Sequence, residues 1–424
     1  MANVGGTSAT LSDVLKRLYL PKVREQLNNE ILVQQILNLN TEDIEGLEAV
    51  LALHYTRSKG VGARRELADL PDAGVQGYKQ AKYDLSYLYG KIMVSGPAIV
   101  RTRTDAGSWI RAMRTELDRI RDDLALDFAR QIYGNGDGVI ATVSSAATGG
   151  TGNPDVLTLT SAEAIVKGYL YPNFVMDVGS VGTPTAKAAS MVIVDVDPDL
   201  ATVYIAEGTK ASIANGDKVF REKSNDSQGT AEMTAGLQTL ISTAPSSQTT
   251  VGGLSSVSNR FWRNIAEDAS DAPDNGAISL DLLMKIFNKA NAAGAKAADL
   301  TVLTTPGQVR KLFASSDFAG KINFVNTKEM KGGFSNVSFD AGQGAVSVQA
   351  DRLAPWGKIF YIDTQHIEFF SPGEWDFLSR DGLTIKWVDN KDAFQSVLFK
   401  YANLGADRRN TSAVIFGLTD TTGT

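Results

Sequence analysis

The chain has 424 residues, 43% of them hydrophobic and 21% charged, with a net charge of −6 and no cysteine. That length exceeds what one core organises and predicts two to four domains of about 100–200 residues, with the composition of a globular protein. The acidic balance argues against a dedicated nucleic-acid binder, whose surface shows a Lys/Arg excess, and the missing thiols exclude disulfides and thiolate metal sites.

The first residues, MANVGGTSATLSDVLKRLYL, carry no basic stretch leading into an apolar one, so export is not expected. No run approaches the ~18 apolar residues of a membrane span, so no membrane contact is expected and a cytosolic site of synthesis and assembly suits the chain. Residues 1–9 are small and polar and predict a mobile end. Leu11, Val14, Leu15 and Leu18 then form one helical face, which Pro21 kinks before Val23, Leu27 and Ile31 continue it. So narrow a stripe makes no core of its own, and Leu15 and Leu18 are expected to lie against the body or a neighbour.

Residues 54–104 predict two extended arms around a charged, Gly- and Pro-containing tip. On the returning arm Tyr83, Leu85, Tyr87 and Tyr89 alternate with Lys82, Asp84 and Ser86, the period of a half-buried strand. An isolated hairpin of this length is unstable in water, so it is expected to pack on a partner. The charged residues Arg64, Arg65, Glu66, Lys79 and Lys82 are the candidate inter-subunit contacts, together with Leu15 and Leu18 of the arm.

From Ser108, apolar residues recur at Ile110, Met113, Leu117, Ile120, Leu124, Phe128 and Ile132, one stripe on a helix of about seven turns. Gly134 is positioned to cap its C-terminus. A helix this much longer than the ~10–14 residue average predicts a structural strut. Residues 136–231 are rich in Gly, Thr, Ser, Ala and Val, with short runs such as VLTLT, MVIVDV and ATVYIA between turn signals, and predict a small β-barrel or sandwich. From about 232 the texture is mixed. Leu282, Leu283, Ile286, Phe287 and Ala290 mark a second amphipathic helix, LTVLTT a strand, and Pro306 the first turn of PGQVRKLF. Strands are expected at FVNTK, VSVQA, KIFYID, HIEFF, LTIKWV and FQSVLFKYANL.

Catalytic equipment is sparse. His54 and His366 have no local partner signature and read as structural or surface residues. Gly253-Leu254-Ser255-Ser256-Val257 lacks the last glycine of a nucleophile elbow, and Gly90-Lys91, Gly320-Lys321 and Gly357-Lys358 fail as phosphate loops. Asp195, Asp197 and Asp199 could share a hard cation such as Ca²⁺, and an enzyme built on them is one reading. A solvated turn is the other, favoured because the glycine of a calcium loop is missing. Arg64-Arg65-Glu66 and Arg408-Arg409-Asn410 suit contacts to phosphate or a partner's carboxylates as well as surface ion pairing. No catalytic, cofactor-binding or metal-binding residue is assigned, and no cofactor is expected.

The order of these parts resembles the major capsid proteins of tailed phages, whose shared fold is named after phage Hong Kong 97. The stretches that carry the resemblance are GSWIRAMRTELDRIRDDLALDFARQIYG, NRFWRNI, ISLDLLMKIFNKA, TVLTTPGQVRKLF and VDNKDAFQSVLFKYANL. It implies an α+β fold with an N-terminal arm (1–53), an extended-loop hairpin (54–104) and the spine helix of a peripheral domain (105–135). An inserted β-rich domain (136–231), a peripheral helix region (232–299), an axial domain (300–365) and return strands to the C-terminus (366–424) complete it. The function implied is a non-enzymatic subunit of an icosahedral shell around double-stranded DNA, located in the virion capsid and assembled in the host cytoplasm. Its implied partners are copies of itself in hexamers and pentamers, weakly and non-specifically held DNA, and a separate scaffolding protein, portal and decoration protein. The alternative is an encapsulin shell, of the same fold, housing a cargo enzyme.

Overall fold

The computed structural model describes residues 32–95, 106–150, 152–208, 212–226, 229–248, 250–271, 274–314, 337–340, 344–379, 384 and 386–419. Leu15, Leu18 and the strand expected at FVNTK lie outside these residues. The hairpin region holds strands β1 (Glu48–Thr56), β2 (Gly77–Asp84) and β3 (Ser86–Ser95), followed by helix α1 (Ala106–Tyr133). Next come β4 (Ala141–Ala147), β5 (Asp155–Leu159), β6 (Val175–Ser180), β7 (Thr183–Asp197), β8 (Thr202–Ile205) and β9 (Lys218–Arg221). The mixed region contains β10 (Ile265–Asp268), α2 (Leu280–Ala292), β11 (Leu300–Thr304), α3 (Pro306–Ala314), β12 (Val337–Asp340) and β13 (Ala345–Ala350). Strands β14 (Ile359–Asp363), β15 (Ile367–Phe370), β16 (Ala393–Ala406) and β17 (Ala413–Phe416) close the chain. Two compact units result. One contains Leu85–Gly236 and Ser371–Asn403; the other contains Asn38–Asp84, Leu237–Phe370 and the chain from Leu404.

In the first unit, α1 lies on a ribbon formed by β3 and β16, antiparallel with Gly90 opposite Leu398 and Tyr87 opposite Tyr401. The helical stripe is buried at Leu124, Phe128 and Ile132, as its spacing requires. Close approach depends on Gly90, where a Cβ would sit 2.4 Å from Leu124 Cδ1. Phe128 meets Trp375 edge-on at 5.7 Å, and the ammonium of Lys400 lies over both rings at 5.4 and 5.6 Å. Burial pulls that ammonium's pKa down to about 8. Strand alternation turns Tyr87, Tyr89 and Met93 to the other, exposed face.

The six strands after α1 close into a barrel in the order β8-β5-β4-β9-β6-β7, every neighbouring pair antiparallel. Its interior is filled by Val143, Leu157, Met176, Val178, Ile193, Val203, Ile205 and Val219, each at most 1% exposed. Closure leaves no strand edge unpaired along the ring. The chain leaves α1 at Gly134 and returns at Gly236, so close that a Cβ on Gly236 would lie 2.2 Å from the Gly134 carbonyl oxygen. Gly134 ends the helix, its N–H donating to Gln131 O at 3.0 Å, but the left-handed backbone falls at Gly136 and Gly138 instead. A buried ion cluster ties this junction. Arg130 pairs with Glu232 at 2.7 Å and with Asp127 at 3.1 Å, and Arg221 of β9 reaches Asp127 at 3.2 Å. Burial opposes ionisation of Asp127, yet Arg130 and Arg221 hold its carboxyl below the ordinary range.

The second unit is built on a mixed sheet in the order β10-β17-β14-β11-β13-β12, parallel at β10–β17 and β11–β13 and antiparallel elsewhere. Helix α2 starts where Ser279 Oγ accepts from the Leu282 N–H at 3.1 Å. Its Leu283, Ile286 and Phe287 share one core with Val302, Tyr361 and Ile415, and Tyr361 donates to Leu283 O at 3.1 Å. The division expected at residue 299 is therefore no domain boundary, because α2 has no apolar surface to bury except this sheet. The return strands expected at 366–424 do not stay together either: β16 begins in the first unit, whereas β17 is in the sheet of the second.

The hairpin differs from expectation at both ends. Its outgoing arm starts at Glu48 rather than residue 54, because Ala49, Leu51 and Leu53 alternate into the body and are buried. Its returning arm stops at Asp84; beyond the buried Leu85 the chain becomes β3, which pairs with β16 instead of β1. Gly90→Val is expected to destabilise the unassembled subunit by about 1–3 kcal/mol through overpacking against α1. Adding Leu124→Ala should recover part of that loss in chemical denaturation, and a Gly90→Val variant as stable as the parent would show that the helix does not rest on this glycine.

Candidate inter-subunit interface

Beyond Thr56 and before Gly77 the hairpin has no regular structure, apart from a turn in which Ala68 N–H donates to Arg65 O at 3.1 Å and Leu67 takes φ +62°. This tip exposes Val61 (88%), Leu67 (102%), Leu70 (83%) and Val75 (91%). Burying one such side chain is worth about 1.5–3 kcal/mol, which makes the tip a candidate contact surface. Arg64 folds back, donating to Asp69 O and Ala63 O at 3.1 Å each, while Arg65 and Glu66 are exposed. Lys82 stands 3.6 Å from Glu48 in a half-exposed pair, which solvent screens to at most about 1 kcal/mol.

Lys79 is placed differently from these. It shares the strand parity of the buried Ala81 and Tyr83, so it faces its own body. Its ammonium donates to Asn259 Oδ1 and lies over the rings of Tyr55 and Phe261 at 5.0 and 5.6 Å. A contact with another subunit was the expectation for this lysine; its polar head is instead engaged within its own chain.

The base of the hairpin rests on a residue whose role the sequence hides. Arg409 is fully buried, so neither phosphate contact nor surface pairing describes it. Its Nε donates to Leu240 O at 2.7 Å, and Nη1 to Ser256 Oγ and Trp262 O at 3.1 Å. Its Nη2 serves Gln248 Oε1 at 2.7 Å and Thr239 O at 3.2 Å. The guanidinium also lies over the Trp262 ring at 5.6 Å, and burial pulls its pKa down to about 10. Five donors in a rigid fork let one side chain gather the loop 239–264 around the strand end. Tyr83 of β2 donates to Ala406 O at 3.1 Å, and burial pushes its phenol well above the ordinary value. Arg408 donates to Ala293 O at the C-terminus of α2, where the helix dipole favours a cation.

The remaining candidates have local partners. His366 Nδ1 lies 2.9 Å from Asp407 Oδ1, a hydrogen bond that raises the imidazole pKa, and His54 packs against the Tyr78 ring at 5.3 Å. Asp197 accepts from the N–H groups of Asp199 and Leu200 at 2.9 and 3.1 Å, forming the turn between β7 and β8. Among the described residues, no group of three or more His, Asp or Glu side chains is placed to hold a metal ion, and no helix is long and apolar enough to cross a membrane.

The family model of the SU10 major capsid protein matches residues 205–414, from the end of β8 into β17. The cyanophage A-1(L) capsid asymmetric unit superposes with a TM-score of 0.53 at 15% identity, covering 92% of this chain and 93% of that chain. Over residues 205–414 the chain belongs to the SU10 major capsid protein family. Its fold is that of a capsid protein with mixed helix and sheet, and its role is that of a phage major capsid protein. The capsid of cyanophage P-SCSP1u superposes less closely, with a TM-score of 0.43 at 8% identity over 91% of this chain and 87% of that one. The holo-SrpI encapsulin complex from Synechococcus elongatus gives 0.44 at 9% identity over 92% and 88%. No curated protein matches the sequence.

For this capsid protein, Arg409→Met leaves the acceptors around the guanidinium without donors in a dry site. A loss of about 3 kcal/mol or more is expected on chemical denaturation of the unassembled subunit, with Arg409→Lys in between because it keeps the charge without the fork. A methionine variant within about 1 kcal/mol of the parent would show that Arg409 does not organise the loop.

Proposed function

We propose that this capsid protein assembles through hexamers and pentamers into an icosahedral shell around double-stranded DNA, with the Hong Kong 97-type arrangement of parts. In this reading α1 is the spine helix of a peripheral domain that includes the β3–β16 ribbon, and the sheet of the second unit is the axial domain. The β1–β2 hairpin is the extended loop that reaches a neighbouring copy, with Arg64, Arg65, Glu66 and Lys82 at the contact. Leu15 and Leu18 lie on an N-terminal arm with the same task. The barrel β4–β9 is an inserted domain, and its role is architectural.

One observation carries this reading: the hairpin ends in apolar side chains that its own chain leaves in water. A symmetric assembly covers the same patch on every copy, so modest contacts add up over the shell. The acidic net charge of −6 favours weak, non-specific contact with packaged DNA, since tight phosphate binding needs a basic surface. A separate scaffolding protein, a portal and a decoration protein complete the expected partners, with assembly in the host cytoplasm and a structural rather than catalytic role. The encapsulin alternative has less support, because the matching family model is that of a phage capsid protein.

The test is a pair of tip variants, Leu67→Asp with Leu70→Asp, and Arg64→Glu with Arg65→Glu. Both should leave circular dichroism and melting of the unassembled subunit unchanged while sedimentation shows assembly blocked. Normal shells from both double variants would remove the hairpin tip from the interface.

A further inference from the structure

Between its base and its tip, the hairpin is held to its own body at one point. Tyr55 of β1 stacks on Phe261 with centroids 5.3 Å apart and planes at 24°. Lys79 of β2, nearly opposite on the other strand, lays its ammonium over both rings and donates to Asn259. Asn259 is itself fixed, its N–H and Nδ2 donating to Ser255 O at 2.9 and 2.8 Å. The neighbouring Ser256 and Trp262 accept from Arg409, and Trp262 Nε1 donates to Val251 O at 3.0 Å. Phe261 and Asn259, the partners of Lys79 on the body, therefore sit on a loop that cannot yield easily. Gly77 makes room for the arrangement: a Cβ there would lie 2.3 Å from Thr56 Oγ1 and 2.8 Å from Tyr55 Cε1.

Toward the base the hairpin is secured independently, by Lys82 N–H donating to Gly252 O at 3.1 Å and by the buried Tyr83. Toward the tip, the hydrogen bonds of residues 57–76 stay within the hairpin among the described residues, such as Ser58 Oγ to Gly74 O at 3.1 Å and Tyr78 Oη to Gln76 Oε1 at 3.5 Å. Among the described residues, Lys79, Tyr55 and Phe261 thus form the last tie by ring stacking or hydrogen bond before the tip. Roughly ten residues of extended chain lie beyond it, up to about 30 Å, so a tilt of ~10° there would move the tip by ~5 Å. A tip that must land on a neighbour cannot tolerate such an error, because interface packing is lost over far smaller displacements.

We propose that Lys79, Tyr55 and Phe261 form a latch that sets the angle at which the hairpin leaves the body, making Lys79 a positioning residue for assembly. The inference rests on the reading that the hairpin engages a neighbouring copy. A cation against a stacked aromatic pair suits the task, because its attraction acts only within about 6 Å of a ring centroid, and arginine can replace lysine in it.

The test uses the full chain with Lys79→Met, which keeps the stem and removes the charge, and Lys79→Arg, which retains a cation. In the unassembled Lys79→Met subunit, amide exchange at 54–56 and 78–80 should quicken about tenfold with the overall melt unchanged. Electron micrographs should then show fewer closed shells with a broader spread of diameters, and Lys79→Arg should restore both readouts. Unchanged exchange in Lys79→Met overturns the latch. So does faster exchange with uniform shells of parental diameter, if Leu67→Asp with Leu70→Asp still abolishes assembly. Normal shells from both that tip variant and Lys79→Met, whatever the exchange, would overturn the hairpin reading itself and the latch with it.

Discussion

A two-stranded ribbon cannot bury its own apolar side chains. It has two faces and no interior, so every large hydrophobe beyond the point where it leaves the body stays in water until something else covers it. The hairpin of this protein meets that constraint in two ways. Near its base, Ala49, Leu51, Leu53, Ala81 and Tyr83 are buried against the same unit. Beyond Thr56 and Gly77, Val61, Leu67, Leu70 and Val75 are left exposed. In the proposed shell, where each copy lies beside others, a neighbouring copy would cover such a tip.

Within its own unit, the loop 239–264 and the chain end give that ribbon a firm base. Arg409 binds the loop 239–264 to the end of the chain through backbone carbonyls and neutral side chains, a pattern in which rigidity comes from directed donors rather than opposite charge. In the other unit, α1 gains its order from close contact with the β3–β16 ribbon at Gly90. The barrel is attached where that helix ends, through the Asp127–Arg130–Glu232–Arg221 cluster. Buried ion clusters of this kind contribute little net stability but define one arrangement among many, which suits a junction that must not swing.

Much of this was legible in the residues, for reasons that also explain the failures. The stripe of α1, the first-turn Pro306 and the strand-and-turn texture of 136–231 are local signals, and local geometry decides them. The start of the hairpin is not visible in the sequence, because the small alternating residues after Glu48 look like an arm until their burial is known. Lys79 looks like one of the exposed charges by residue type, whereas its parity with Ala81 and Tyr83 on one strand face carries the opposite message. Arg409 was beyond reach. Its partners come from residues 239–264, more than a hundred positions away, and a pair of adjacent arginines gives no sign that one is buried. The merging of 232–299 with 300–365 was hidden for a similar reason: an amphipathic helix announces that it needs a sheet, but not which one.

The central claim is that neighbouring copies cover the hairpin tip. Hydroxyl-radical footprinting of Leu67 and Leu70, compared between the unassembled subunit and purified shells, tests it most directly. The account predicts strong modification of both side chains in the subunit and several-fold protection in the shell, with the barrel surface at Val194 and Leu200 serving as an exposed reference in the unassembled state. Equal modification of Leu67 and Leu70 in subunit and shell would contradict it.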